Sequence, residues 1–264
     1  MKLKFYLQKI VMEKAKEIKR KGGRTLKDVP EEIRQQLNQG LLETANLMEG
    51  LSVDFPLLLK NTLNHSLSSD VQDSLRNLGI TKKMETMALY LVKKGVSFED
   101  IGTHPSDTLR GWAAYMIAYS PNSNIEEKLK AIEPLADDNH FGVREWAWLA
   151  LRPYCAEMPE RMIKLLVPWA KRTDNFRRFA SEITRPRGVW CAHIQQLKDN
   201  PALALPILSN LKADPSRYVQ NSVANWLNDS VKSKPQWVKD LCKEWQQSNI
   251  PETLYICKRG LRNC

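Results

Sequence analysis

From about residue 100 the chain repeats itself, and a repeat constrains a fold more tightly than composition does. Four segments, HPSDTLRGWAAYM, DNHFGVREWAWLA, TDNFRRFASEI and DPSRYVQNSVANWL, each join a polar turn to a helical pattern. Superposed, they align Leu109, Val143, Phe176 and Val219, in steps of 34, 33 and 43 residues. The next position reads Arg110, Arg144, Arg177 and Gln220, and one turn further on stand Ala113, Ala147, Ala180 and Val223. Between these segments lie NIEEKLKAIEPLA, MPERMIKLLVPWA and NPALALPILSNL, which read as partner helices. A helix pair of this size cannot bury its apolar stripe alone, but stacked pairs bury it against one another.

The pattern D-x-x-x-V-R-x-x-A has the character of HEAT-like repeats. The expected fold is therefore all-α, a curved α-solenoid of HEAT-like repeats with a concave inner face. One domain is expected over residues 1–264, with 1–100 as N-terminal helices and 101–264 as the clearest repeats. In the first part, DVPEEIRQQL opens with Asp28 and Pro30, which predict a helix start just before Pro30. ETANLMEGLSVDFPLLLKNTL is Leu-rich and broken near Pro56, and TKKMETMALYLVKKG is amphipathic and closed by Gly95. No sustained period-2 run of β-branched residues predicts a strand. The opening MKLKFYLQKIVMEKAKEIKRKGG is too charged for a signal peptide and reads as a basic amphipathic helix with Leu3, Leu7, Ile10 and Val11 on one side.

With 40 Lys+Arg against 30 Asp+Glu, the net charge of +10 favours an anionic partner, nucleic acid ahead of a membrane surface. No apolar run approaches the roughly 18–20 residues of a membrane span. The five cysteines (Cys155, Cys191, Cys242, Cys257 and Cys264) are scattered, as are His65, His104, His140 and His193. No C-x-x-C spacing occurs, so neither a metal site nor a disulfide framework is expected, and a reducing, cytoplasmic compartment fits.

The repeat assigns facings. Two residues past each leading apolar position come Gly111, Glu145, Arg178 and Asn221; one turn on come Tyr115, Leu149, Glu182 and Asn225. Corresponding residues of successive repeats lie side by side, so these form two rows on one face, which Asp229 continues by an i+4 step. Around them stand Arg144, Arg152, Lys171, Arg172, Arg177, Arg185 and Arg187. Plainer readings stand beside this one. Arg178–Glu182 reads equally as an i,i+4 helix pair, Glu145 as a solvated helix residue, and Arg110, Arg144 and Arg177 as ties between helix pairs. Trp112, Trp146, Trp148, Trp169 and Trp226 fit core positions, whereas Trp190 follows a Pro-containing basic segment and is expected to be exposed in a site.

RRFASEITRPRGVW, with the later DPSRYVQNSVANWLNDSVK, resembles the AlkC family of DNA alkylation-repair glycosylases, relatives of the AlkD type. VPEEIRQQLNQG, ETANLMEGLSVDFPLLL and HPSDTLRGWAAY extend the resemblance over most of the chain, and R-x-x-A-S-E-x-x-R-P-R…W is its most specific part. The resemblance implies a solenoid whose concave face grips alkylated double-stranded DNA and hydrolyses the N-glycosidic bond of cationic bases, chiefly 3-methyladenine and 3-methylcytosine, left largely within the duplex. It implies a catalytic pocket at Glu182 and Trp190, with Glu145 and Asp229 in support. DNA contacts are expected from Arg144, Arg152, Lys171, Arg172, Arg177, Arg178, Arg185, Arg187, Asn221 and Asn225. No cofactor, membrane or obligate protein partner is expected, and the protein is expected to be a monomer. Some relatives carry a further immunoglobulin-like domain, for which a chain ending at Cys264 leaves no room. A different class, a non-catalytic HEAT scaffold binding nucleic acid or an acidic protein, is the alternative.

Overall fold

A computed structural model describes residues 20–264. The proposed amphipathic face of Leu3, Leu7, Ile10 and Val11 lies outside the described residues. Among the described residues there are helices and turns but no β-strand, as the periodicity predicts. None of the helices is long and apolar enough to cross a membrane.

The described residues divide into two compact units. The first runs to Asn122 and adds Asp138–Trp146; the second comprises Ser123–Asp137 and Ala147–Cys264. The first unit holds α1 (Glu31–Asn38), α2 (Leu47–Ser52), α3 (Phe55–Leu63), α4 (Ser69–Arg76), α5 (Ile80–Lys93), α6 (Phe98–Gly102) and α7 (Asp107–Tyr119). The second holds α8 (Ile125–Ala136), most of α9 (Phe141–Glu157), α10 (Pro159–Leu166), α11 (Asp174–Ile183), α12 (Gln195–Asp199), α13 (Leu205–Leu211), α14 (Arg217–Val231), α15 (Pro235–Gln246) and α16 (Pro251–Gly260).

Local chemistry sets the boundaries. Pro30 precedes α1 as its N-cap, and Glu31 and Glu32 fill the first turn, where the helix dipole favours acids. Asp28 instead accepts the Thr25 N–H at 2.9 Å in the preceding turn. The break near Pro56 falls two residues earlier, at Asp54, whose side chain accepts from Leu57 N. Proline is tolerated in the first turn because its missing donor would have no helical acceptor there. Asn124 and Glu127 form a reciprocal capping box on α8.

The aligned positions Leu109, Val143, Phe176, Val219, Ala113, Ala147, Ala180 and Val223 are all buried. Trp112, Trp148, Trp169 and Trp226 are core residues as expected. Trp146 is the exception: half-buried in the first unit, it lines a cavity of about 50 Å³ with Phe55, Met84 and Phe141.

Candidate functional site

The repeated arginine is a structural tie. Arg110 donates to the carbonyls of His104 and Pro105 behind it and to the Asp138 carboxylate ahead, at 2.9 Å. Arg177 donates to Arg172 O and, through two nitrogens, to Asp214 at 2.6 and 3.0 Å. The hydrogen bonds it donates to Asp214 hold the Arg177 guanidinium above its ordinary pKa, with burial opposing. Arg144 donates to Asp138 O and Asn139 O, and Gln220 to Asp214 O. Each side chain reaches back five or six residues to the turn that starts its own helix, whose carbonyls have no helical donor. Arg177 was expected at DNA; a bidentate carboxylate already holds it.

On the next two rows lies the one cluster in which the predicted site residues meet. Glu182, 3% exposed near the end of α11, has Arg178 Nη2 at 3.5 Å and accepts from Arg185 Nη1 at 3.0 Å. Arg185 turns its other edge to Asp229 of α14, with both Nε and Nη2 at 2.8 Å from Oδ2. The order Arg178–Glu182–Arg185–Asp229 thus alternates charge across two neighbouring helices. Burial alone would lower the Arg185 pKa, but the carboxylates of Glu182 and Asp229 outweigh it and the value is raised. Burial pushes the Asp229 carboxyl upward, with Arg185 opposing. Arg178 also lies over the Tyr218 ring, 4.4 Å from its centroid.

Arg185, expected to anchor a phosphate, instead bridges two carboxylates. That pairing follows from its place three residues beyond Glu182, opposite the i+4 continuation of the amide row. Glu145 stands in the first unit, half-buried in the opening turns of α9, and Arg144 belongs to that unit too.

After α11 the chain forms the loop that carries Trp190. Thr184 bonds back to Ala180 O and Ser181 O. The carbonyls left over at the helix end are met by long side chains: Trp226 Nε1 donates to Thr184 O at 2.9 Å and Arg152 Nη1 to Ile183 O at 2.8 Å. Arg152 Nη2 then reaches Arg185 O at 2.6 Å and Ala192 O at 3.2 Å, and Ile194 N closes the loop on Pro186 O at 3.0 Å. Arg152, expected at DNA, is 2% exposed here. In this structure it acts as an internal clasp on the loop. Gly188 packs so closely that an added Cβ would run into the Cys191 sulfur. Burial raises the Cys191 thiol pKa; Arg152 and Arg185 pull it down, and Glu182 adds to the rise. These influences put the loop within electrostatic reach of the cluster.

Trp190 is 49% exposed, with Val189 beside it, and its φ of 61° lies in the left-handed region. For a bulky residue that conformation costs on the order of 1–3 kcal/mol and persists only where surroundings impose it. Arg187 donates to Ser233 Oγ at 2.7 Å, and its Nε is buried without a partner.

Asn221 and Asn225 are both half-buried, and their side-chain oxygens are already used. Asn221 accepts from Tyr255 Oη at 2.8 Å, and Asn225 from Arg262 Nη2 at 3.0 Å. Those partners come from α16 and the residues after it, which the four-fold alignment does not reach. Lys171 is exposed at the end of the short Pro168–Lys171 turn. Arg172 stacks on Phe176 and pairs with Glu133 at 2.9 Å. Among the described residues no group of three or more His, Cys, Asp or Glu is gathered as a metal site would require.

No protein-family model matches the sequence. An uncharacterised protein of Bacillus subtilis (strain 168), YhaZ, is 37% identical over 138 residues, which is 52% of this chain and 37% of YhaZ. Among solved structures, Pseudomonas fluorescens alkylpurine DNA glycosylase AlkC, bound to DNA containing an abasic site analog, matches with a TM-score of 0.63. It is 23% identical, and the match covers 91% of this chain and 65% of that one. AlkD2 from Streptococcus mutans matches with a TM-score of 0.59 and 24% identity, over 74% of this chain and 97% of that one. The chain thus spans less than two thirds of YhaZ and of the AlkC structure. Its all-helical fold is the one that AlkC and AlkD2 share.

Proposed function

We propose, for a chain with the AlkC and AlkD type of fold, that it is a monofunctional DNA glycosylase. It would release positively charged, N-alkylated bases such as 3-methyladenine and 3-methylcytosine from duplex DNA and so initiate base excision repair. The observation that carries the reading is the buried Glu182–Arg185–Asp229 array directly before a strained, exposed Trp190.

A base alkylated at a ring nitrogen already carries positive charge and leaves as a neutral molecule, so a general acid has little to contribute. What limits the reaction is the cation that develops on the deoxyribose and the approach of water. Carboxylates fixed in a site of low dielectric stabilise that charge without reorganising, and one can orient the water. Arg185 sets the spacing of Glu182 and Asp229, so neither carboxylate needs to search for its place. An indole face adds cation–π attraction of roughly 0.5–2 kcal/mol to a charged base or sugar. Arg187, Lys171, Arg172 and Arg178 are positions from which a flanking phosphate can be held.

The burial of Glu182 between two arginines also favours a second reading, in which the array is a structural ion-pair network in a non-catalytic scaffold that binds nucleic acid or an acidic protein. Incubation with methylated duplex, scored for free base and alkali-labile sites, separates the two. Glu182→Gln keeps shape and removes charge. It is expected to reduce single-turnover release by about 100-fold or more, since one preorganised electrostatic group commonly contributes ~3 kcal/mol. Wild-type rates in that variant would leave Glu182 a helix salt-bridge partner and favour the scaffold.

A further inference from the structure

Most arginines of the second unit are neutralised or used internally. Arg161 pairs with Glu126, Arg172 with Glu133, Arg177 with Asp214, and Arg178 and Arg185 with Glu182. Arg152 is spent on backbone carbonyls. Three exposed arginines at the C-terminal end are held differently. Arg217, at the start of α14, lies over the Tyr255 ring with its guanidinium carbon 3.6 Å from the centroid, and Arg259 approaches the same ring at 5.7 Å. Arg262 is held by Asn225 Oδ1 and donates to Arg259 O at 2.7 Å. Their supports are a phenol ring, an amide and a carbonyl, none of which cancels charge.

We infer that Arg217, Arg259 and Arg262, mounted on Tyr255, Asn221 and Asn225, form a second anion-binding row that takes the phosphate backbone of duplex DNA. The inference rests on the reading that DNA is the partner, and it extends the contact surface to a helix that the repeat pattern does not include.

Placement is the first argument. Asn221 and Asn225 occupy, one repeat on, the positions of Arg178 and Glu182, and they are the residues that hold Tyr255 and Arg262. The row therefore continues the face of the charged cluster within one compact unit. Chemistry is the second. A stacked guanidinium keeps its planar N–H edge for bidentate contact with phosphate oxygens and has lost part of its rotamer freedom in advance. Exposed Lys258 adds to the same end of the chain, and Glu252 is the acid of α16. A lipid-binding face would need exposed apolar side chains among its cations. Here the ring of Tyr255 is half-buried under Arg217.

The test uses the full chain and an undamaged duplex, with affinity measured by fluorescence anisotropy from 50 to 200 mM salt. The triple variant R217Q/R259Q/R262Q should melt as the wild type does, because all three side chains are exposed. Each lost phosphate contact lowers the slope of log K against log salt by about 0.9, so the slope should fall by about 2–3 units. The wild type should then lose up to roughly 40-fold more affinity than the variant across that salt range. Arg259→Glu alone should weaken binding at 50 mM salt by more than Arg259→Gln does. An unchanged slope in the triple variant, with its melting temperature intact, overturns the inference. So does a loss confined to anionic phosphatidylserine vesicles with duplex binding unaffected. A lowered slope in a protein whose wild type releases no base from methylated DNA would uphold this row and sink the glycosylase reading.

Discussion

Removing Arg185 should convert the candidate site into a pH-dependent fault in the fold. The Arg185→Gln substitution leaves Asp229, 7% exposed, without the cation 2.8 Å from it, and leaves Glu182, 3% exposed, with Arg178 at 3.5 Å in place of Arg185 at 3.0 Å. Breaking a buried ion pair from one side costs about 3–5 kcal/mol, because an uncompensated charge stays in low dielectric. In a chain of this size ~1 kcal/mol corresponds to about 2–4 °C of melting temperature. The variant should therefore melt roughly 6–20 °C lower at pH 7. Burial already pushes the Asp229 carboxyl upward with Arg185 present, and the loss of Arg185 must push it further. An acid whose folded pKa lies above its unfolded value binds more protons when folded. Stability then falls as pH rises through that interval and returns on acidification. The deficit relative to wild type should thus be largest near pH 7 and shrink toward pH 5. Thermal melts followed by circular dichroism at both pH values measure it. An equal deficit at the two pH values, or none at either, would show that Arg185 does not compensate the carboxylates and would remove the premise of a preorganised array.

Trp190→Ala should slow release of 3-methyladenine by about 10-fold or more in single turnover, since ~1.4 kcal/mol corresponds to one decade and a desolvated cation–π contact can exceed that; an unchanged rate would show that the indole is not part of the pocket. Duplexes carrying one defined lesion should be processed far faster when the base is cationic than when it is uracil or hypoxanthine, and equal rates would refute the charge-based mechanism. Arg152→Met should slow release by loosening the Trp190 loop from beneath, with partial recovery on adding guanidinium to Arg152→Ala; recovery absent in a folded variant would leave Arg152 a purely structural residue. Gly188→Ala should reproduce the loop defect because its Cβ collides with Cys191, and a wild-type rate with wild-type melting would show that the loop adapts freely.

The repeating unit, its helices and its buried positions were legible in the sequence because they are set locally. Leu109, Val143, Phe176 and Val219 recur at a fixed place after each turn, and a helix converts that spacing into one facing. The same logic put Arg178 one turn from Glu182 and Asp229 two turns from Asn221. The helix start at Pro30 and the break near Pro56 were legible to within one or two residues, the structure placing the second cap at Asp54. What the sequence could not supply is which of many arginines faces a phosphate, since a guanidinium finds its acceptor in three dimensions. Arg152 ends inside, shared among Ile183, Arg185 and Ala192, because a loop some 30 to 40 residues away left carbonyls unpaired there. Arg185 turns to Asp229 rather than outward because α14 packs beside α11 and brings a buried carboxylate within 2.8 Å. Tyr255 and Arg262 reach Asn221 and Asn225 from α16 and the turn after it, which carry no copy of the repeat. Periodicity decides facing; only packing decides which charges meet, because ion pairs depend on distances between elements that no spacing along the chain encodes.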